Sequence, residues 1–261
     1  MKKEKITLIG AGLAGPLMAT HLAKRGYSVD IYERRPDMRK ATQSAGRSIN
    51  LALSVRGIHA LKKVGIFDQI EPITIPMTGR MIHDLNGETH LQPYGQKKDE
   101  MIYSVSRAQL NMDLLTLAEE TGRVKIHFDH KLESADLDKN ELTFGEKIIQ
   151  FNIVIGCDGS ASPLRKAIIE KSKADYVKKP LGHGYKELVI PSSKSGEFLL
   201  EPNALHIWPR GEFMLIALPN FDRTFTCTLF FPMAGPSSFE TVKNENDIDD
   251  LFQKYFPDAF E

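Results

Sequence analysis

Three glycines, one acid and one Asp-Gly pair are the residues of this chain best placed to do chemistry. In Gly10-Ala11-Gly12-Leu13-Ala14-Gly15 the first glycine permits a tight turn. The second lets the backbone approach a pyrophosphate, and the third lets a helix pack closely on a strand. A helix that starts in such a turn offers free N–H groups and a partial positive charge to phosphates. Glu33 can accept hydrogen bonds from a ribose hydroxyl and would repel a 2′-phosphate. The expected ligand is therefore the adenosine half of FAD or of NAD. Arg34 and Arg35 follow at once; they either soften that repulsion or are solvated loop charges.

The other candidates are weaker when taken singly. Asp158-Gly159 follows an apolar run, Ile153-Val154-Ile155, and precedes a helix start at Pro163. That order places Asp158 at a strand end, where open α/β sheets bind ligands; beside the first glycine motif it favours a cofactor role over a plain turn. Arg47 and Asn50 are polar positions in Ser48-Ile49-Asn50-Leu51-Ala52-Leu53 and its leader, and once buried they need partners. A flavin ring edge could supply them, as could an ordinary helix start. Arg80 stands in a strand-like segment whose partner ends at Tyr94. An arginine fork is suited to a carboxylate, although spacing alone marks Arg80 only as a surface residue. His127 and His130 are the closest histidine pair, but a strand would put them on opposite faces, so no metal site is expected. Trp208, Phe213, Phe225, Phe230 and Phe231 suit either a sheet core or the wall of an aromatic pocket.

The elements that must position these residues follow from periodicity. Lys5–Ile9, a helix to Arg25 and Ser28–Tyr32 make a strand, helix and strand ending on the acid. A helix is expected from about Val55 to Val64 with Gly65 as its cap. Asn86-Gly87 marks a hairpin. A long helix is expected over 107–121, then strands at 124–128 and near Leu132, a hairpin at 138–140 and one strand over 148–155. From Gly182 the pattern is an antiparallel meander, with strands at 205–208, 213–218 and 225–230, and an amphipathic helix over 242–255. The expected fold class is α/β: a doubly wound, Rossmann-like nucleotide domain (1–72 and 97–178) interleaved with a mainly antiparallel sheet domain (73–96 and 179–261).

Composition sets bounds on function. Lys plus Arg and Asp plus Glu are both 34 of 261 residues, so no global charge argues for nucleic acid or an anionic membrane. No apolar run reaches the roughly 18 residues of a spanning helix, and the N-terminus has no signal-peptide pattern. The only two cysteines, Cys157 and Cys227, fit small buried residues in a reducing compartment, so a cytoplasmic protein is expected.

Several segments together resemble the FAD-dependent aromatic hydroxylases. They include Arg80-Met81-Ile82-His83, Ser104-Val105-Ser106-Arg107, Gly156-Cys157-Asp158-Gly159, Ile216-Ala217-Leu218-Pro219-Asn220 and Thr226-Cys227-Thr228-Leu229-Phe230. Gly46-Arg47-Ser48-Ile49-Asn50-Leu51-Ala52-Leu53-Ser54 and Leu205-His206-Ile207-Trp208-Pro209-Arg210 resemble the branch of that family acting on kynurenine. The resemblance implies resident FAD, reduction by NADPH, and a flavin hydroperoxide formed with O2. Its distal oxygen goes to the ring carbon beside the amine, converting L-kynurenine to 3-hydroxy-L-kynurenine. No side chain acts as chemical catalyst in that scheme. It further implies FAD contacts from Ala14, Tyr32, Glu33, Arg34, Arg35, Ala52, Arg107 and Leu132. Arg80 and Tyr94 would hold the substrate's α-carboxylate, with Ile216, Leu218 and Phe230 beside its ring. Members of the family continue beyond a point equivalent to residue 261 with a second FAD motif, so this chain is expected to lack a C-terminal part. The alternatives are a hydroxylase of another aromatic acid and a non-catalytic FAD-binding fragment.

Overall fold

The computed structural model describes residues 4–40, 49–97 and 99–260. The chain begins β1 (Lys5–Ile9), α1 (Ala14–Lys24), β2 (Ser28–Tyr32), β3 (Asn50–Leu53), α2 (Val55–Lys63) and α3 (Phe67–Ile70). It continues β4 (Thr74–Met77), β5 (Gly79–His83), β6 (Thr89–Pro93), β7 (Ile102–Ser106), α4 (Arg107–Glu120) and β8 (Val124–His127). Next come β9 (Ser134–Asp136), β10 (Glu141–Phe144), β11 (Lys147–Gln150), β12 (Ile153–Gly156) and α5 (Pro163–Ser172). The last elements are β13 (His183–Ile190), β14 (Ala204–Arg210), β15 (Phe213–Pro219), β16 (Phe225–Pro232), α6 (Glu245–Tyr255) and α7 (Pro257–Phe260).

These elements form two compact units. The first is Met1–Arg47, His59–Pro72 and Ala108–Lys178. Its centre is a four-stranded parallel sheet in the order β12-β1-β2-β8. The strands are apolar because both faces are covered. Ile6, Leu8, Val29 and Ile31 pack with Ala19 and Ala23 of α1 and with Leu115 and Ala118 of α4. Ile9 and Tyr32, which alternation turns to the other face, pack with Leu142 and Phe144 of the antiparallel β9-β10-β11 sheet. Asp30 is a buried acid within β2, held by the ammonium of Lys5 and with His127 Nε2 3.3 Å away.

The second unit is Ser48–Ile58, Ile73–Arg107 and Lys179–Glu261. It contains a six-stranded sheet, β13-β16-β15-β14-β5-β6, and a small sheet, β3-β7-β4. One face of the large sheet buries Trp208, Phe225 and Phe231, and Phe256 at the end of α6 closes over it with Leu251 and Phe252. The other face carries Arg80, Ile216 and Phe230. Strand alternation therefore divides the aromatics: Trp208, Phe213, Phe225 and Phe231 are core, whereas Phe230 points away from it.

Four expectations change. Residues 48–58 and 97–107 were assigned to the nucleotide domain, but they group with the second unit because β3 and β7 pair with each other and with β4. The single strand expected over 148–155 is two strands in different sheets; Phe151 donates its N–H to Asn140 and breaks the run. No strand forms at Leu132, which is a buried core residue before β9. The helix expected from Val242 starts at Glu245, because Asn244 makes a capping box with Asp247.

His127 and His130 also differ from expectation. β8 ends at His127, and Asp129 adopts φ 58°, so the chain turns back. Both rings then lie against Tyr32, His127 stacked at 4.6 Å and His130 tilted at 5.7 Å. The pair thus belongs to an aromatic cluster. Burial lowers the His127 pKa, against the pull of Asp30.

Candidate functional site

The glycine turn of the first unit leaves β1 at the same sheet end as the Asp158 turn leaves β12. Gly10 has φ 98°, which only glycine adopts without strain. A methyl group on it would lie 2.5 Å from the Cys157 carbonyl oxygen and 2.8 Å from the Asp158 Cα. The two motifs therefore touch through backbone, as adjacent β1 and β12 require. A methyl group on Gly15 would lie 2.0 Å from the Gly10 carbonyl oxygen. A methyl group on Gly12 would meet nothing within 4 Å. Gly10 and Gly15 are thus demanded by packing, and the open side of Gly12 is where a ligand can approach.

Helix α1 begins beside that opening. No side chain caps its N-terminus and no acid lies in its first turn, so its positive end is not neutralised from within. Ala14 is exposed there. Asp158 Oδ2 is buried without a hydrogen-bond partner among the described residues. Buried polar atoms are normally partnered, so this one invites a donor. Gly159 follows at φ 80°, and Arg165 Nη1 donates to its carbonyl at 3.1 Å. An uncapped helix end, open space at Gly12 and an unpartnered acid suit a phosphate-bearing cofactor with hydroxyl donors. The sequence placed Gly10, Gly12, Gly15 and Asp158 in the cofactor site, and the fold brings them together.

Glu33 is buried, and its carboxylate is already engaged. Oε2 accepts the Ala11 N–H at 2.7 Å, and Oε1 accepts Arg35 Nε at 2.8 Å and the Arg35 N–H at 3.0 Å. Burial alone would raise its pKa, but these hydrogen bonds outweigh it and the net shift is downward. Asn111 of α4, which no sequence signal singled out, donates to the Ala11 carbonyl at 3.0 Å. Ala11 is thus clamped from both sides, and the turn is built before any ligand arrives. Arg35 is a partner of Glu33, whereas Arg34 is exposed. The side chains of Tyr32 and Leu132 are in the core, so a cofactor could meet only their backbone.

A test of the clamp that keeps the side chain's shape and removes its charge is Glu33→Gln. It is expected to cost about 1–2 kcal/mol of stability at pH 7. The stability owed to a lowered carboxylate pKa is present above the unfolded value, about 4.3, and is lost as pH falls through the folded value. The urea midpoints of variant and parent should therefore draw together as pH falls below the unfolded value, about 4.3. A gap that persisted in acid would show that the carboxylate charge does not hold Ala11.

In the second unit the structure places Ala52 on β3 and Arg107 at the start of α4, both exposed. The Arg107 N–H donates to Ile49 at 3.0 Å. Arg47 lies outside the described residues. Asn50 has its partners within the protein: its amide donates to Ser104 Oγ and to the Pro219 carbonyl, both at 3.0 Å, and to Asn220. Its polarity needs no flavin edge.

Arg80 is exposed on β5, and its guanidinium stands 4.7 Å from the centroid of the Tyr94 ring. It has no ion-pair partner among the described residues. The Tyr94 hydroxyl is buried without a hydrogen bond of good geometry. Burial raises its pKa, against the nearby cation, so the phenol keeps its proton at neutral pH. The register places Arg80 beside Leu205 of β14 and pairs Ile207 with Ile216. Ile216 then pairs with Thr228, and Met214 with Phe230. Alternation puts Arg80, Leu205, Ile207, Ile216, Leu218 and Phe230 on one face. An unpaired cation with a phenol donor at one side of an apolar sheet face fits a ligand with a carboxylate and an aromatic ring.

Two remaining features carry other roles. On the reverse face, His83 Nδ1 lies 2.6 Å from Asp258 Oδ2, and His83 Nε2 lies 2.8 Å from His206 Nδ1. On the β5–β6 hairpin, ligand atoms of Asp84, Glu88 and His90 lie within 4.8 Å of one another. His90 and Glu88 are exposed there, and His90 pairs with Asp84 at 3.0 Å, as solvated hairpin charges do.

Comparison with known proteins adds to this geometry. A family model described as "FAD binding domain" matches residues 3–181. Kynurenine 3-monooxygenase of Myxococcus xanthus (strain DK1622) is 46% identical over 264 residues, covering 99% of this chain and 57% of that protein. The kynurenine 3-monooxygenase of Sus scrofa is also 46% identical, over 99% of this chain and 55% of that protein. The chain thus spans little more than half the length of these relatives. Among solved structures, 2-methyl-3-hydroxypyridine-5-carboxylic acid oxygenase superposes with a TM-score of 0.72 at 19% identity, over 100% of this chain and 66% of that one. A tetracycline destructase superposes with a TM-score of 0.63 at 21% identity, over 97% of this chain and 63% of that one. At these identities the likeness is one of fold. No helix among the described residues is long and apolar enough to cross a membrane.

Proposed function

Because this chain belongs to the FAD binding domain family, we propose that its intact protein is a flavin monooxygenase that hydroxylates L-kynurenine to 3-hydroxy-L-kynurenine with NADPH and O2. The observation that carries the substrate reading is the unpaired Arg80 beside Tyr94, on the same sheet face as Ile216, Leu218 and Phe230. Near-whole-chain identity of 46% to kynurenine 3-monooxygenases supports it.

Gly12, the uncapped start of α1 and Asp158 are the groups that would hold FAD, with Glu33 keeping the turn in shape. Bound FAD supplies the redox chemistry, passing electrons from NADPH to O2. The work of the chain's own residues is binding and orientation. Arg80 would take the α-carboxylate in a charge-assisted hydrogen bond, and the Tyr94 hydroxyl would donate a second. Ile216, Leu218 and Phe230 would bury the ring and exclude water from it. Arg47, Ala52 and Arg107 are further proposed cofactor contacts.

The intact protein should oxidise NADPH faster when kynurenine is added and release 3-hydroxykynurenine. Stimulation by a different aromatic acid, with none by kynurenine, would overturn the substrate. Arg80→Ala should raise KM for kynurenine about tenfold or more while FAD stays bound, since a hydrogen bond to a charged group is worth about 1.5–3 kcal/mol. Loss of flavin from that variant would mean that Arg80 serves the cofactor instead.

A further inference from the structure

Beyond its apolar strands, the face that carries Arg80 holds Tyr185 and Glu187 of β13, opposite Phe230 and Thr228 in register, and two hydroxyls of β16, Thr226 and Thr228. Both face the same way as Phe230, by alternation along the strand. Their situations differ. Thr226 is buried, and its hydroxyl exchanges hydrogen bonds with the side chain of Asn220, at 3.1 and 3.4 Å. Thr228 is half-buried, and its hydroxyl has no hydrogen-bond partner among the described residues. It lies directly opposite Ile216 and two residues before Phe230. A free hydroxyl thus sits between two of the side chains assigned to the substrate ring.

We propose that Thr228 is a specificity-determining residue that reads the aromatic amine of the substrate. The inference rests on the function proposed above. In an ortho-aminophenyl ketone one amine N–H is taken by the adjacent carbonyl, while the other points outward and needs an acceptor. Of the two β16 hydroxyls on this face, Thr228 Oγ is the one with no protein partner among the described residues. Reach is compatible. The strand carrying Thr228 lies three strand spacings from that carrying Arg80, about 14 Å. From Arg80, whose guanidinium stands at Tyr94, the substrate's amino-acid end and ketone would extend across β14 and leave the ring over β15 and β16. A ligand without the amine would gain nothing from Thr228, and one with a bulkier group would meet its methyl.

The test uses the intact protein with FAD bound. Thr228→Val keeps the shape and removes the hydroxyl, and valine suits a strand. Thr228→Ser keeps the hydroxyl. Affinities for kynurenine, and for the analogue with hydrogen in place of the aromatic amine, are read by titration of the flavin absorbance. Thr228→Val should weaken kynurenine binding about tenfold and leave binding of the des-amino analogue unchanged, so that the two ligands become alike. Thr228→Ser should retain the preference of the parent. An unchanged preference in Thr228→Val overturns the proposal, as does an equal loss for both ligands, which would mark a packing role. A parent protein that ignores kynurenine altogether overturns the proposed function itself, and that outcome is visible before any variant is made.

Discussion

Gly15→Ala is expected to be one of the most damaging single substitutions in the first unit. Within a helix, exchanging glycine for alanine ordinarily adds about 0.5–1 kcal/mol of stability. Here the new methyl group would sit 2.0 Å from the Gly10 carbonyl oxygen. That neighbour is backbone, and it is not free to move. The Gly10 N–H donates to Tyr32 at 2.8 Å, and the next residue is clamped by Glu33 and Asn111. Relief requires α1 to move off the sheet, opening the cluster of Ala19 and Ala23 against Leu8 and Ile31. A loss of about 3 kcal/mol or more is expected, the scale of overpacking without room to relax. It should appear as a lower thermal midpoint and failure to retain flavin. Gly12→Ala is the control: its methyl group meets no protein atom, so the fold should hold while flavin affinity falls. Equal stability of Gly15→Ala and the parent would show that the turn is looser than its geometry implies.

Acid should weaken the second unit well above the range where carboxylates titrate. His206 is 1% exposed, and its pKa is pushed down to about 4 by burial. Its Nε2 donates to the Glu201 carbonyl at 2.8 Å, so in the neutral ring Nδ1 is left to accept from His83 Nε2. A proton on His83 Nδ1 would complete the chain to Asp258; the carboxylate favours it, but burial opposes it more, and the His83 pKa is lowered too. Arg210 Nη1, bound to the His83 carbonyl at 2.9 Å, adds a further cation close by. The sign follows from proton counting. Between pH 6.5 and 4 the unfolded chain binds a proton on this histidine that the folded chain refuses, so stability falls as pH falls. For His206 alone the loss between pH 7 and pH 5 is about 2 kcal/mol. His206→Gln should flatten that part of the profile.

Asp258→Ala should do more at any pH. It leaves the Trp208 indole N–H, now bound to both carboxylate oxygens at 2.9 and 3.0 Å, and the facing His83 ring without their partner. Two orphaned buried groups cost about 3–4 kcal/mol together. α7 would lose its tie to the sheet. Chemical unfolding at pH 7 and pH 5 reads both effects. Equal stability of the parent at the two pH values, or an Asp258→Ala variant as stable as the parent, would show that this network does not hold the helix.

Much of this molecule was legible in the order of its residues. The spacing of Gly10, Gly12, Gly15 and Glu33 predicted a strand, turn, helix and strand, and that unit forms as read. The helix end at Gly65, the helix start at Pro163 and the Asn86-Gly87 hairpin were also readable, because caps and turns depend on φ values and on partners a few residues away. The family resemblance was carried by the same kind of short segment. Tertiary structure decided the rest, because it depends on pairs far apart in the chain. Alternation could not say which aromatic of β16 faces outward until β15 and β13 fixed its faces. Arg80 looked like a surface charge until β14 came beside β5, 125 residues later, and made it the edge of an apolar face. Asn50 was open to a flavin edge or an ordinary helix start until Pro219 and Asn220 supplied its partners. Ala11, clamped by Glu33 and Asn111, has no mark in the sequence, nor has His83, bound to Asp258 from 175 residues away. Local spacing sets what a segment can form; which buried donor meets which acceptor is decided only when the chain closes around both.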